Sequence, residues 1–179
     1  MSSKLVVALF VCFCVVFVAS AQDLALDSKT TTKDLVGEIS RHELVSHPVF
    51  NEWFSNNFEN YQLDSKTIDR LKAIPTKDLS FKIIMGTWCS DSQRDVPRFA
   101  RILEELNIAE SAINYYALDA DKLSPEKIEE TYHVSHVPTF IIYKNGKELN
   151  RIVEMSIRTL EEDLLLILTT NDYQHIYAD

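Results

Sequence analysis

Cysteine and positive charge are both scarce in this chain. Three cysteines occur among 179 residues, and two of them, Cys12 and Cys14, lie in an apolar run over residues 5–18. Lys4 precedes that run and Ala19-Ser20-Ala21 follows it. A basic start, a short apolar stretch and a small-residue end read as a secretory signal over residues 1–21, cleaved before Gln22. The run is at the lower edge of what crosses a bilayer, which disfavours a retained anchor. Large residues, Phe10 and Val11, precede Cys12, which disagrees with lipid attachment there. With the signal gone, 158 of the 179 residues remain and Cys89 is their single thiol, so no disulfide framework exists within one chain.

The charge deficit excludes other roles. Lys and Arg number 18 against 27 Asp and Glu, for a net charge of −9, which becomes −10 once Lys4 is removed. Such a surface repels phosphate backbones and anionic headgroups, so neither nucleic acid nor a membrane surface is an expected partner after signal cleavage. Asn-x-Ser/Thr acceptors are missing throughout, which tilts an exported protein towards a periplasm over a glycosylating route; the expected location is periplasmic or extracellular. His133 and His136 stand three apart, but no thiolate or carboxylate stands at matching spacing, and no metal or cofactor is expected.

What is present divides into two patterns. Residues 22–35 lack apolar periodicity and read as a flexible leader. Val49, Phe50, Trp53, Phe54, Phe58 and Tyr61 then recur at helical spacing behind Pro48, a residue suited to a first turn. Asp64 or Ser65 caps a second helix carrying Ile68, Leu71 and Ile74, ended by Pro75. Residues 22–78 are therefore a leader and a helical extension. From residue 79 the order becomes strand (81–85), helix (90–107, containing Pro97), strand (113–118), short helix (124–132), strand (139–143), a hairpin at Asn145-Gly146, strand to about 154, and helix (159–168). This order predicts an α/β domain: a mixed sheet, parallel where helices cross over and antiparallel across the hairpin, with helices on both faces. Chemistry in such sheets sits beyond the carboxyl ends of strands, where Trp88-Cys89 falls.

Cys89 stands at the start of the helix that follows the first strand. Unpaired N–H groups and partial positive charge at a helix N-terminus favour a thiolate, making Cys89 the candidate nucleophile. Ser92 occupies the fourth position of a would-be Cys-x-x-Cys, and a hydroxyl cannot resolve a mixed disulfide. Ser92 either caps the helix or donates to the sulfur. Asp91 stabilises the helix start but opposes a nearby thiolate, and Arg94 on the same face is placed to neutralise it, unless both are simply solvated.

Four local features give a resemblance over residues 79–172: Trp88-Cys89 after a strand, Pro97 eight residues beyond the cysteine, Val137-Pro138-Thr139 opening the third strand, and Lys144-Asn145-Gly146 in the hairpin. Together they resemble the thioredoxin superfamily. The resemblance implies a three-layer α/β/α sandwich around a four-stranded mixed sheet over residues 79–179. It also implies a cis Pro138 facing Cys89, and a client-binding surface at Trp88, Val137, Pro138 and Thr139, where the backbone of Val137 pairs with an extended segment.

The chain also departs from the family. Ser92 replaces a second cysteine, Ile83 stands where an acidic residue commonly serves that cysteine, and Glu154 stands where glycine is usual beside the cis-proline loop. Glu154 is thus a rim carboxylate, a candidate proton acceptor or client-selecting charge. The resemblance implies a monothiol whose Cys89 forms mixed disulfides with clients, resolved by an external thiol or reductase. The alternative is a chaperone-like module that holds extended peptides without redox turnover. A one-cysteine peroxidase ranks last, because Met85-Gly86-Thr87-Trp88 lacks the Thr-x-x-Cys spacing of peroxiredoxins.

Overall fold

The computed structural model describes residues 33–178; the expected signal over residues 1–21, with Cys12 and Cys14, lies outside the described residues. The elements in order are β1 (Gly37–Ile39), α1 (Arg41–Ser46), α2 (Pro48–Asn60), α3 (Ser65–Lys72), β2 (Leu79–Met85), α4 (Ser90–Glu105), a 3-10 turn (Glu110–Ala112), β3 (Ile113–Ala117), α5 (Ile128–Thr131), β4 (Thr139–Lys144), β5 (Lys147–Val153) and α6 (Leu160–Thr169). No helix among the described residues is long and apolar enough to cross a membrane.

The strands form one mixed sheet in the order β1-β3-β2-β4-β5. β2 and β3 are parallel, joined through α4, whereas β4 runs antiparallel to β2 and β5 antiparallel to β4. The β4–β5 turn needs two residues because Asn145 and Gly146 both take positive φ, 53° and 73°, matching the twist of the flanking strands. The sheet has five strands, not four. The additional one, β1, pairs antiparallel with β3, Gly37 facing Ala117 and Ile39 facing Tyr115. Three residues are too few to show a period, and Gly37 enters at φ 96°.

Alternation along the strands sorts side chains onto two faces. Phe81, Ile83 and Met85 of β2, with Phe140 and Ile142 of β4, join the large cluster containing Phe54, Val96, Phe99, Leu103 and Leu164 from the helices. The intervening Ile84 and Ile141 join a small cluster with Leu118, Ile128 and Val137. Ile83 is fully buried in the large cluster, which is why a carboxylate there would need a partner.

Helix starts follow their caps. Ser40 and Glu43 form a reciprocal capping box on α1, a helix that six residues were too few to announce. Asp64 caps α3 through the Lys66 N–H, and Thr159 caps α6 through the Glu162 N–H. The short helix expected over 124–132 contracts to α5. Ser124-Pro125 forms a turn whose Ser124 hydroxyl accepts from the Ile128 N–H at 2.9 Å. The end of the expected leader is held: Leu35 N–H donates to Thr87 Oγ1 at 3.2 Å, and that hydroxyl donates to Asp34 at 2.9 Å.

Candidate functional site

β2 ends at Met85, and the next four residues turn its direction into α4. Cys89 N–H donates to Gly86 O at 3.0 Å, closing the turn and leaving Cys89 as N-cap residue of α4 in extended conformation. The Cys89 side chain makes no capping bond to this end, so first-turn N–H groups of a 16-residue helix lie beside the sulfur without it as a partner. Gly86 is required by a close approach: a Cβ there would lie 2.6 Å from the Trp88 ring. Trp88 is half-buried against the small cluster, with Nε1 donating to Leu118 O at 3.0 Å.

The Val137–Pro138 bond is cis, and the loop it forms faces Cys89. Cys89 is partly exposed, and its Sγ donates to Val137 O at 3.4 Å. The sulfur therefore sits between a helix start and the loop preceding β4, open to solvent on one side. Val137 and Pro138 are buried, with the Val137 carbonyl beside the sulfur. Thr139 is buried too, and its hydroxyl donates to His136 O at 2.7 Å. That side chain fastens the loop and does not line the surface.

Ser92 does neither of the things its position suggested. It is completely buried, third in α4, and its hydroxyl accepts from Gly86 N–H at 3.2 Å. The position of a resolving thiol is thus occupied by a group that holds the end of β2. Asp91 and Arg94 are joined at 2.6 Å, and Arg94 also reaches Asp95 at 2.6 Å, whose side chain is 8% exposed. The hydrogen bond to Asp95 is the main cause holding the Arg94 guanidinium firmly protonated; burial opposes it, and Asp91 adds to it. Arg94 is therefore primarily the partner of a buried carboxylate and only secondarily a counter-charge for Asp91.

Glu154 adopts φ 62°, the left-handed conformation in which glycine is the easy occupant. Its N–H donates to Pro138 O at 2.7 Å, which ties it directly to the cis-proline loop. Its carboxylate accepts from the Tyr177 hydroxyl, a bond that raises the Tyr177 titration along with desolvation and the charges of Glu154 and Asp91. The Tyr177 ring stacks on His136, centroids 3.9 Å apart and planes within 6°. Sequence reasoning missed Tyr177, which lies in a tail without periodicity, although Glu154 and His136 were both singled out.

Cys89, Trp88, Val137, Pro138 and Glu154 are thus brought together, while Ser92 and Thr139 lie beneath them as supports. The thioredoxin family model matches residues 80–165. The chain is 34% identical over 68 residues to thioredoxin-2 of Saccharomyces cerevisiae, covering 38% of this chain and 60% of that one. It is 30% identical over 79 residues to thioredoxin-1 of Schizosaccharomyces pombe, covering 44% of this chain and 71% of that one. A solved structure of a protein of unknown function from Pseudomonas aeruginosa shares the fold at a TM-score of 0.51 and 16% identity, covering 71% of this chain and 77% of its own.

Proposed function

The chain belongs to the thioredoxin family, and from that premise we propose that it is an exported monothiol protein whose Cys89 exchanges with client disulfides. The observation that supports this most directly is the partly exposed sulfur at a helix start, 3.4 Å from the carbonyl preceding a cis proline.

The exchange runs in two stages. Cys89 loses its proton to solvent, and the thiolate attacks one sulfur of a client disulfide. The client S–S bond breaks, a Cys89–client disulfide forms, and the second client sulfur leaves as a thiolate that takes up a proton. Ser92 has no sulfur with which to cleave that adduct, so a thiolate from outside the chain attacks it and is itself left in a disulfide. A second external thiol completes reduction. Attack by a client thiol instead returns Cys89 with a rearranged client and no net redox change. Trp88 and the Val137–Pro138 backbone hold the client segment by strand addition, and Asp91 and Glu154 modulate the charge around it.

The purified chain lacking residues 1–21, incubated with a disulfide substrate, should give an adduct at Cys89 by intact mass, with turnover strictly dependent on added small thiol. No adduct under any condition, or turnover without added thiol, sinks the proposal.

A second reading is favoured by Met155 and Ile157, which are 47% and 50% exposed just beyond Glu154. An apolar rim of this kind suits a module that holds extended segments without turnover. Cys89→Ala separates the two: retained client association supports holding, and complete loss supports exchange. N-terminal sequencing of the exported protein checks cleavage before Gln22.

A further inference from the structure

Beyond α6 the chain turns back along β5. Asn150 Nδ2 donates to Tyr173 O at 2.7 Å, and the buried Tyr173 hydroxyl donates to Asp163 at 3.0 Å, which anchors the tail at that residue. Two backbone donors then fold onto His175: Tyr177 N–H reaches Nδ1 at 3.2 Å, and Ala178 N–H reaches the carbonyl at 2.9 Å. This turn delivers Tyr177 to the cis-proline loop. Its ring covers His136, the neighbour of Val137, and its hydroxyl holds Glu154, whose N–H is bonded to Pro138 O. One side chain therefore bridges the two backbone segments flanking the cis proline. Tyr177 remains 42% exposed and Ile176 41% exposed, so the bridge is a surface clasp and not part of the core. A single ring stack and a single hydrogen bond on an exposed residue open and close readily.

We propose that Tyr177 is a gate that sets which disulfides reach Cys89: an extended protein segment must displace it, whereas a small disulfide need not. The inference rests on the exchange reading above. A segment that pairs with the backbone at Val137 runs along the edge formed by residues 136–138 and 153–155 and meets the tyrosine ring there. A small reagent requires only the exposed side of the sulfur.

The test compares two probes on the chain beginning at Gln22: an extended peptide whose cysteine carries a nitrothiobenzoate leaving group, and the symmetrical small aromatic disulfide. In both cases Cys89 displaces a coloured thiolate, so one absorbance trace reads both rates. Tyr177→Ala, and truncation after Gln174, which keeps the Tyr173 anchor, should speed the peptide reaction about tenfold while changing the small-disulfide rate less than about twofold. Tyr177→Phe, which keeps the stack and loses only the hydroxyl, should fall between, and it carries the test if the truncated chain does not fold. Unchanged peptide rates, slower ones, or equal acceleration with both probes overturn the gate. If the unmodified chain reacts with both probes and the variants match it, the gate alone falls; if the unmodified chain reacts with neither, the exchange reading falls as well.

Discussion

The two faces of the sheet are built to different standards. On one, α2, α4 and α6 bury a continuous core in which Phe54, Phe81, Phe99 and Phe140 are almost wholly enclosed, with Phe99 4.5 Å from Phe140 between ring centroids. On the other, a four-residue helix and the loop before β4 contribute to a smaller buried cluster of Ile84, Leu118, Ile128, Val137 and Ile141, with Trp88 and Cys89 among the partly buried residues packed at its margin. Apolar burial supplies most of the stability of such a domain, so the thick face carries it. The thin face is free to present backbone, a thiol and loosely held side chains. What the contrast teaches is a division of labour: the residues that make the fold and those that make the site touch different sides of the same strands, and β2 and β4 serve both.

The sharpest way to break this contrast is to cut the same amount from each face. Ile102→Ala should cost about 3–5 kcal/mol in urea unfolding, and Ile128→Ala about 2 kcal/mol. Equal losses would show that the thin face bears as much of the fold as the thick one. Next in size is Gly86→Ala, at the junction of the two. The new methyl collides with the Trp88 ring, so a loss of about 1–3 kcal/mol is expected together with a shifted tryptophan emission. An unchanged spectrum would mean that Trp88 is not seated where its bond to Leu118 O places it.

Tyr115 on the thick face gives a smaller and oppositely signed effect. Its hydroxyl is buried without a hydrogen-bond partner among the described residues, so Tyr115→Phe should stabilise the protein by about 1 kcal/mol at neutral pH. Burial raises the titration of Tyr115, and on the thin face burial raises Tyr143 to about 12. An unfolded tyrosine ionises near 10, so above that pH the unfolded chain releases protons that the folded chain retains, and stability falls as pH rises. Below pH 10 these groups add no slope. Denaturant midpoints across the alkaline range should therefore decline less steeply in Tyr115→Phe than in the unmodified chain.

The smallest effect belongs to the rim. Asp91→Asn removes a negative charge near the sulfur while Arg94 keeps its stronger partner, Asp95. Alkylation of Cys89 by iodoacetamide at neutral pH should quicken by roughly two- to fivefold. A slower reaction would show that the freed Arg94 was drawn away from the site.

Much of this architecture is legible in the amino-acid sequence. Helices α2, α3, α4 and α6 announced themselves through apolar spacing, and the Asn145-Gly146 turn through backbone chemistry that few residues tolerate. The cis bond at Val137-Pro138 and its place opposite Cys89 were legible only through the resemblance to thioredoxins, because an X-Pro bond is usually trans. β1 and α1 were not, since three and six residues do not repeat anything. Ser92 was located correctly but misjudged, because its choice between the sulfur, the helix end and Gly86 depends on the path of β2 and not on its own neighbours in sequence. The partnership of Tyr177 with His136 and Glu154 joins residues far apart in the chain, in a tail that carries no period. Single-sequence reasoning has no signal for such a contact. Glu154 in a left-handed conformation is the partial exception, because its departure from glycine was visible and marked the place.

The hydroxyl at position 92, sealed beneath the site and bonded to Gly86, has one more effect. A dithiol protein ends its own covalent encounters, so their duration is a property of the protein. Under the proposed exchange, the duration would belong to the surroundings, and each encounter would last until another thiol arrives. The residence time of a captured client would then report how reducing its environment is.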